Sequence, residues 1–295
     1  MFDSVIIGGG PGGLTASIYL RRSNLNVAII EGNMPGGQLA NTAVVENYPG
    51  FESIAGADLA MKMYMQAINL GVEYISNYAT KIEKDRHFII TLQDDSKIEA
   101  KTVIIATGLK HRKLNVPGED KFTGKGVSWC AICDGNLYRN KEVAVVGGGN
   151  SAVEESIYLA GIVKKVYLIH RRNEFRSDAI LVDRIKKLDN VELVLNDEVV
   201  ALAGKEGLEE ITLKSNRKLQ VSGLFEYIGF LPSSEFVREL GITDQDGFIE
   251  VDNDCQTKIQ GLYAVGDIVR KPVRQIVTAL GDGATAALHA AKCCR

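Results

Sequence analysis

Two stretches of this chain share one rhythm of apolar and polar positions. Residues 3–7 close on Val5-Ile6-Ile7 and predict a buried strand, residues 12–22 carry apolar positions at helical spacing, and residues 26–31 predict a second strand. The same order returns downstream as a strand over 142–146, a helix over 151–161 and a strand over 165–170. The offset is constant: Gly8 and Gly147, like Glu31 and His170, lie 139 positions apart. A fixed offset across strand, turn, helix and strand predicts two copies of one βαβ dinucleotide-binding module.

Between the copies the pattern predicts a helix over 56–70 and strands over 86–93 and 97–106, the last ending at Ala106-Thr107-Gly108. Pro117 and Gly118 then mark a linker, and a matching exit appears at Tyr227-Ile228-Gly229 with Pro232. Beyond it come a strand over 261–265, running into Gly266-Asp267, and an Ala-rich helix from about 273 to 291. The first module has too few strands before Pro117 to complete a sheet, so the C-terminal segment is expected to return to it. The predicted fold class is α/β: two Rossmann-like βαβ domains, one over 1–113 and 231–295, the other inserted as 114–230.

The length of 295 residues suits two cores. A formal charge of −3 gives no reason to expect nucleic acid or an anionic membrane as partner. No apolar run approaches a membrane span, and no basic, apolar leader precedes the first strand. Five cysteines are too few for a disulfide scaffold, so a reducing, cytoplasmic home is expected.

The turns that open the two modules carry the chemistry. Gly8-x-Gly10-x-x-Gly13, with Pro11, follows a strand and opens a helix. The first glycine permits the tight turn, the second lets a pyrophosphate reach the backbone, and the third lets the helix pack closely. Glu31 ends the next strand, where a carboxylate can accept ribose hydroxyls. The second copy reads Gly147-x-Gly149-Asn150-Ser151-Ala152, and its acid is replaced by His170-Arg171-Arg172 with Arg176 following. Guanidinium groups bind a 2′-phosphate that a carboxylate would repel, so NADPH is expected here and an unphosphorylated adenosine in the first module.

Cys130-Ala131-Ile132-Cys133 lies just before the second turn. Two thiols at this spacing can cycle between dithiol and disulfide without large backbone movement. A leaving thiolate needs a proton, and Asp134, next to Cys133, is the candidate acid. Asp134-Gly135 also reads as a plain exposed turn. Zinc would want two further ligands at comparable spacing; Cys255 stands alone and Cys293-Cys294 are adjacent at a terminus, so no metal is expected.

Assembled, these motifs resemble the low-molecular-weight, bacterial-type thioredoxin reductases over essentially the full length. The resemblance is carried by Gly36-Gly37-Gln38-Leu39, Val45-Glu46-Asn47-Tyr48-Pro49-Gly50, Ala106-Thr107-Gly108 and Cys130-x-x-Cys133-Asp134-Gly135. It extends to Gly147-Gly148-Gly149-Asn150-Ser151-Ala152, His170-Arg171-Arg172-x-x-Phe175-Arg176, and Gly266-Asp267 with Arg274-Gln275. It implies a glutathione-reductase-like architecture with FAD on the first module, contacted by Gly8, Gly10, Pro11, Gly13, Glu31, Gly32, Gly36, Gly37, Gln38, Leu39 and Asn47. Ala106, Thr107, Gly108, Gly266, Asp267, Arg274, Gln275 and Ile276 complete that expected set. Cys133 would face the flavin, Cys130 would attack the protein substrate, Asp134 would donate the proton, and the partner would be thioredoxin, reduced by a homodimer. The chain departs from the family at Asn136-Leu137, where an aromatic pair helps dock thioredoxin, and at Trp129, where smaller residues are common. Another dithiol carrier or a peroxidase module is the alternative substrate. Dithiol and NADPH fingerprint share the inserted domain, yet each must reach the flavin, so the insertion is expected to swing on linkers near 112–118 and 230–232.

Overall fold

The structure is a computed structural model and describes residues 1–42 and 45–294; Arg295, the last residue of the first expected domain, lies outside the described residues. The chain forms two compact units, Met1–Lys110 with Leu231–Arg295, and His111–Phe230.

The first unit is built on one sheet, in the order Glu73–Ile75, Val27–Ile30, Phe2–Ile7, Lys97–Ile105, Phe88–Leu92, Ala79–Lys84. The first four run parallel and the last two antiparallel. The long strand Lys97–Ile105 serves two partners on one edge: its first half pairs with Phe88–Leu92, and Val103–Ile105 pairs with Leu262–Ala264 in parallel. Both faces are covered, which is why the central strands read as apolar runs. Ile6, Ile29 and Ile104 enter one core, while Val5, Ile7, Ala28, Ile30, Val103 and Ile105 enter the other.

On the first face the helices Pro11–Arg22 and Ile276–Cys293 lie against each other. Gly283 explains the approach: a Cβ there would stand 2.3 Å from the carbonyl oxygen of Gly12. The last helix begins at Ile276 rather than near 273, because Gln275 and Thr278 form a reciprocal capping box that fixes the first turn.

The second unit holds a five-stranded parallel sheet in the order Val191–Leu195, Lys165–His170, Glu142–Gly147, Gly223–Tyr227, Val127–Ser128. A separate antiparallel sheet of Val199–Ala203, Glu210–Leu213 and Lys218–Gln220 accompanies it. That sheet buries Val199, Leu202, Ile211, Leu213 and Leu219 on one face only. Among the described residues no helix is long and apolar enough to cross a membrane.

Candidate active site

The first Gly-rich turn separates three glycine roles by geometry. Gly8 has φ of 110°, and a Cβ there would fall 2.3 Å from the Ala106 carbonyl oxygen; one on Gly13 would fall 2.0 Å from that of Gly8. Gly10, between them, would meet nothing within 4 Å. Packing dictates the outer two, and the middle one faces open space, as a pyrophosphate against the backbone requires.

Around that space the structure gathers much of the expected set. The Glu31 carboxylate accepts the N–H groups of Gly9 and Asn33, each at 2.8 Å, so it braces the turn. The Gly36 N–H donates to the Gly9 carbonyl at 2.8 Å, and a Cβ on Gly37 would lie 3.3 Å from the Gly10 Cα. Pro11 opens the helix, Leu39 is buried, and a Cβ on Gly32 would run into the Tyr78 ring. Gln38 donates to the Leu109 carbonyl at 3.3 Å, and Asn47 to Gln275 Oε1 at 3.2 Å. Ala106 donates to Ile7, Thr107 Oγ1 donates to the Ser233 carbonyl at 2.8 Å, and Gly108 again faces open space. Gly266 donates to Asp282 at 2.9 Å, and burial pushes the neighbouring Asp267 carboxyl up against the pull of Lys271 and Arg274. Arg274 lies over the Phe248 ring at 4.6 Å, beside the cap that precedes Ile276, and its buried Nε has no hydrogen-bond partner among the described residues. An unused buried donor and the open space beside Gly10 and Gly108 fit a phosphorylated, aromatic cofactor.

The second turn repeats the arrangement. A Cβ on Gly147 would fall 2.4 Å from the Tyr227 carbonyl oxygen, whereas Gly149 would meet nothing within 4 Å. Ala152, buried, takes the third position; Ser151 is exposed, and the Asn150 amide is tied to Asp178 by donating at 3.0 Å and accepting at 2.9 Å. At the end of the next strand His170 turns inward. Its ring stacks on Phe175 at 5.5 Å and fills the space beneath Gly148. Burial lowers its pKa, and the three neighbouring arginines push the same way, so the imidazole is neutral at physiological pH. Arg171, Arg172 and Arg176 are exposed and form no ion pair among the described residues, leaving three guanidinium groups for a phosphate.

Cys130 and Cys133 are joined in a disulfide with Cα atoms 5.3 Å apart. Cys130 caps the short helix Ala131–Asp134, and its Sγ accepts the Cys133 N–H at 3.1 Å. Cys133 is the more exposed of the two and Cys130 is half-buried. Asp134 follows at the end of the helix, its N–H donating to the Cys130 carbonyl at 3.1 Å. Around the turn Trp129, noted from the sequence only as a departure from the family, is joined by Ser128, Tyr227 and Glu226, which were not expected at the site. Ser128 Oγ accepts the Cys130 N–H at 3.0 Å, Tyr227 Oη accepts the Ala131 N–H at 2.9 Å, and Trp129 Nε1 donates to Glu226 at 3.1 Å. The signal for Glu226 was present: an acid inside the otherwise apolar run of a central strand.

Comparison with known proteins gives the family. The pyridine nucleotide-disulphide oxidoreductase family profile matches residues 2–283. The thioredoxin reductase of Mycoplasma genitalium is 48% identical over 295 residues, covering 98% of this chain and 94% of that protein. That of Bacillus subtilis is 42% identical, covering 97% and 93%. The crystal structure of Lactococcus lactis thioredoxin reductase superposes with a TM-score of 0.94 at 41% identity, covering 100% of this chain and 99% of that one. The chain belongs to the thioredoxin reductases. As a member of that family it is an oxidoreductase that works with FAD and NADPH, and its two Rossmann-like domains are those of the solved relatives.

Proposed function

We propose that the Cys130–Cys133 pair is the group through which this enzyme reduces the disulfide of thioredoxin, with FAD on 1–113 and 231–295 and NADPH on 114–230. The observation that carries the reading is the disulfide itself, set immediately before a fingerprint whose strand end offers three free guanidinium groups. In the first unit Gly8, Gly10 and Gly13, the 31–39 segment, Asn47, 106–108 and the 266–276 stretch would hold FAD. In the second, Gly147, Gly149, the 150–152 turn and Arg171, Arg172 and Arg176 would hold NADPH, with His170 shaping the floor. When bound, FAD relays two electrons from the nicotinamide to the disulfide.

The protein's own part begins with the reduced pair. The Cys130 thiolate attacks one sulfur of the thioredoxin disulfide, forming a mixed disulfide and releasing the other sulfur as a thiolate. Cys133 then attacks Cys130, which restores the Cys130–Cys133 bond and frees the second sulfur. Two electrons and two protons leave with thioredoxin, and Asp134 delivers a proton to a departing thiolate. Flavin–thiol exchange and hydride transfer would each need near contact, so the insertion would present its two sites in turn. The reading includes a homodimer and a cytoplasmic setting; a chain with five cysteines, too few for a disulfide scaffold, supports the latter.

The test is NADPH-dependent thioredoxin reduction by holoenzyme carrying Cys130→Ser or Cys133→Ser. Each is expected to lose turnover by at least about a thousandfold, while NADPH-driven ferricyanide reduction, which needs only flavin, persists. Undiminished thioredoxin turnover in either variant would refute the reading. Another dithiol carrier is the second reading, favoured by Leu137, 68% exposed beside the dithiol where an aromatic pair is expected. Competing thioredoxin against a glutaredoxin-like protein separates the two.

A further inference from the structure

The strand Gly223–Tyr227 runs parallel to Val127–Ser128, with Leu224 opposite Val127 and Phe225 opposite Ser128. The ladder stops there, and the next residues on the two segments are Glu226 with Trp129 and Tyr227 with Cys130. Successive strand side chains point to opposite faces. Leu224 and Ile228 accordingly belong to the core that includes Trp129, while Phe225 and Tyr227 belong to the core that includes Ala131. Side-chain bonds continue the pairing where the backbone ladder ends. Glu226 accepts the Trp129 indole N–H on one face, and Tyr227 accepts the Ala131 N–H on the other.

We propose that Glu226 and Tyr227 are positioning residues for the dithiol, gripping the residues on either side of Cys130 from opposite faces of one strand. The inference rests on the reading that Cys130 attacks the partner disulfide. In-line attack on a disulfide demands a fixed sulfur direction, and a turn held on one side alone could rotate about the other. Glu226 has no exposed surface, and Tyr227 is half-buried, its phenol pushed up by that burial and by the charge of Glu155.

Glu226 is held in a form suited to the task. Burial and the adjacent carboxyl of Glu119 push it up to about 8, so it is protonated at neutral pH. Glu119 is itself fixed by the N–H groups of Leu114, Asn115 and Val116. A proton held toward the Glu119 carboxyl, with Lys113 the cation that faces the pair, leaves Oε2 free to accept from Trp129. Glutamine reproduces that neutral donor–acceptor pair, whereas alanine removes it.

The holoenzyme variants Trp129→Phe, Glu226→Ala, Glu226→Gln and Tyr227→Phe test the inference against thioredoxin and ferricyanide in parallel. Losing either anchor is expected to lower kcat with thioredoxin by about tenfold while KM for thioredoxin changes by less than about twofold. Glu226→Gln is expected to recover most of what Glu226→Ala loses. In NADPH-reduced enzyme, the iodoacetamide labelling rate of Cys130 should shift in the anchor-less variants, with that of Cys255 unchanged. The proposal is overturned if Tyr227→Phe and Glu226→Ala keep both kcat and Cys130 labelling. It is equally overturned if thioredoxin and ferricyanide activities fall together with the melting temperature, which marks a folding role alone. Failure of the underlying reading looks different: Cys130→Ser would then still reduce thioredoxin.

Discussion

The two dinucleotide turns are built alike and surrounded differently. In both, the first glycine is pressed against a carbonyl of the neighbouring strand and the second faces open space. The divergence lies in what the flanking elements carry. Where the first module has Ile105 opposite Ile7, fully buried in its core, the second has Glu226 opposite Val146. Where the first helix has Ala16, the second has Glu155, whose Oε2 is buried without a hydrogen-bond partner. Where the first strand pair ends in Glu31, bracing its own turn, the second ends in an inward histidine and outward arginines. At Ile105 and Ala16 the first module carries apolar side chains. The other adds buried acids around a dithiol, which is where a unit that must also move protons and present sulfur would place them.

The sharpest way to break the likeness is to exchange the third position of the fingerprints. Gly13→Ala places a Cβ 2.0 Å from the Gly8 carbonyl oxygen, and neither backbone can yield. That variant is expected to lose bound FAD and on the order of 3 kcal/mol or more of stability. Ala152→Gly in the other turn should cost only about 1 kcal/mol. Flavin absorbance after gel filtration and urea midpoints measure both; equal losses would show that the turns are not built to the same plan.

Much of this contrast was legible in the sequence, because both turns are local and their strands are buried on two faces. The three-stranded sheet over 199–220 was not. Its strands run three to five residues and bury one face only, so they offer little apolar signal. The start of the last helix was misplaced for a different reason: a side-chain exchange between Gln275 and Thr278 sets it, not the apolar period. At the dithiol, Cys130 and Cys133 stood out by their spacing, and Asp134 became a candidate by its place beside Cys133. Their anchors did not stand out, since Tyr227 and Glu226 reach the turn from 96 and 97 residues away. His170 counted as a candidate by position alone, and only its burial beneath Gly148 separates it from the arginines that follow.

That separation is itself testable. Replacing Arg171, Arg172 and Arg176 together by alanine should lower kcat/KM for NADPH on the order of a hundredfold and leave kcat/KM for NADH nearly unchanged. FAD content should stay constant, since these residues sit in the other unit. His170→Leu, which keeps an apolar body against Phe175, should raise KM for NADPH by no more than about threefold, because a neutral imidazole contributes little to holding a phosphate. A loss from His170→Leu as large as that of the arginine variant would place the histidine in the phosphate site.

The buried acids give the smallest and most diagnostic effect. Glu226 is raised from 4.5 to about 8 and Glu155 from 4.5 to about 7, mainly by burial, with Glu119 and Glu154 adding to it. A carboxyl whose folded pKa lies above its unfolded value binds more protons in the fold, so stability falls as pH rises between the two values. The contribution is therefore complete below pH 4.5, declines across the window up to about 8, and is constant above it. Glu226→Gln removes one titration, so its melting temperature should gain on the unsubstituted enzyme progressively from pH 5 to 8 by a few degrees in all. Ile105 leaves the first unit without an equivalent group, so hydrogen exchange should report the pH-dependent loosening in strand Gly223–Tyr227 and not in Lys97–Ile105. A flat difference between the two proteins across that window would mean that Glu226 is ionised in the fold, with Lys113 the cation that faces it.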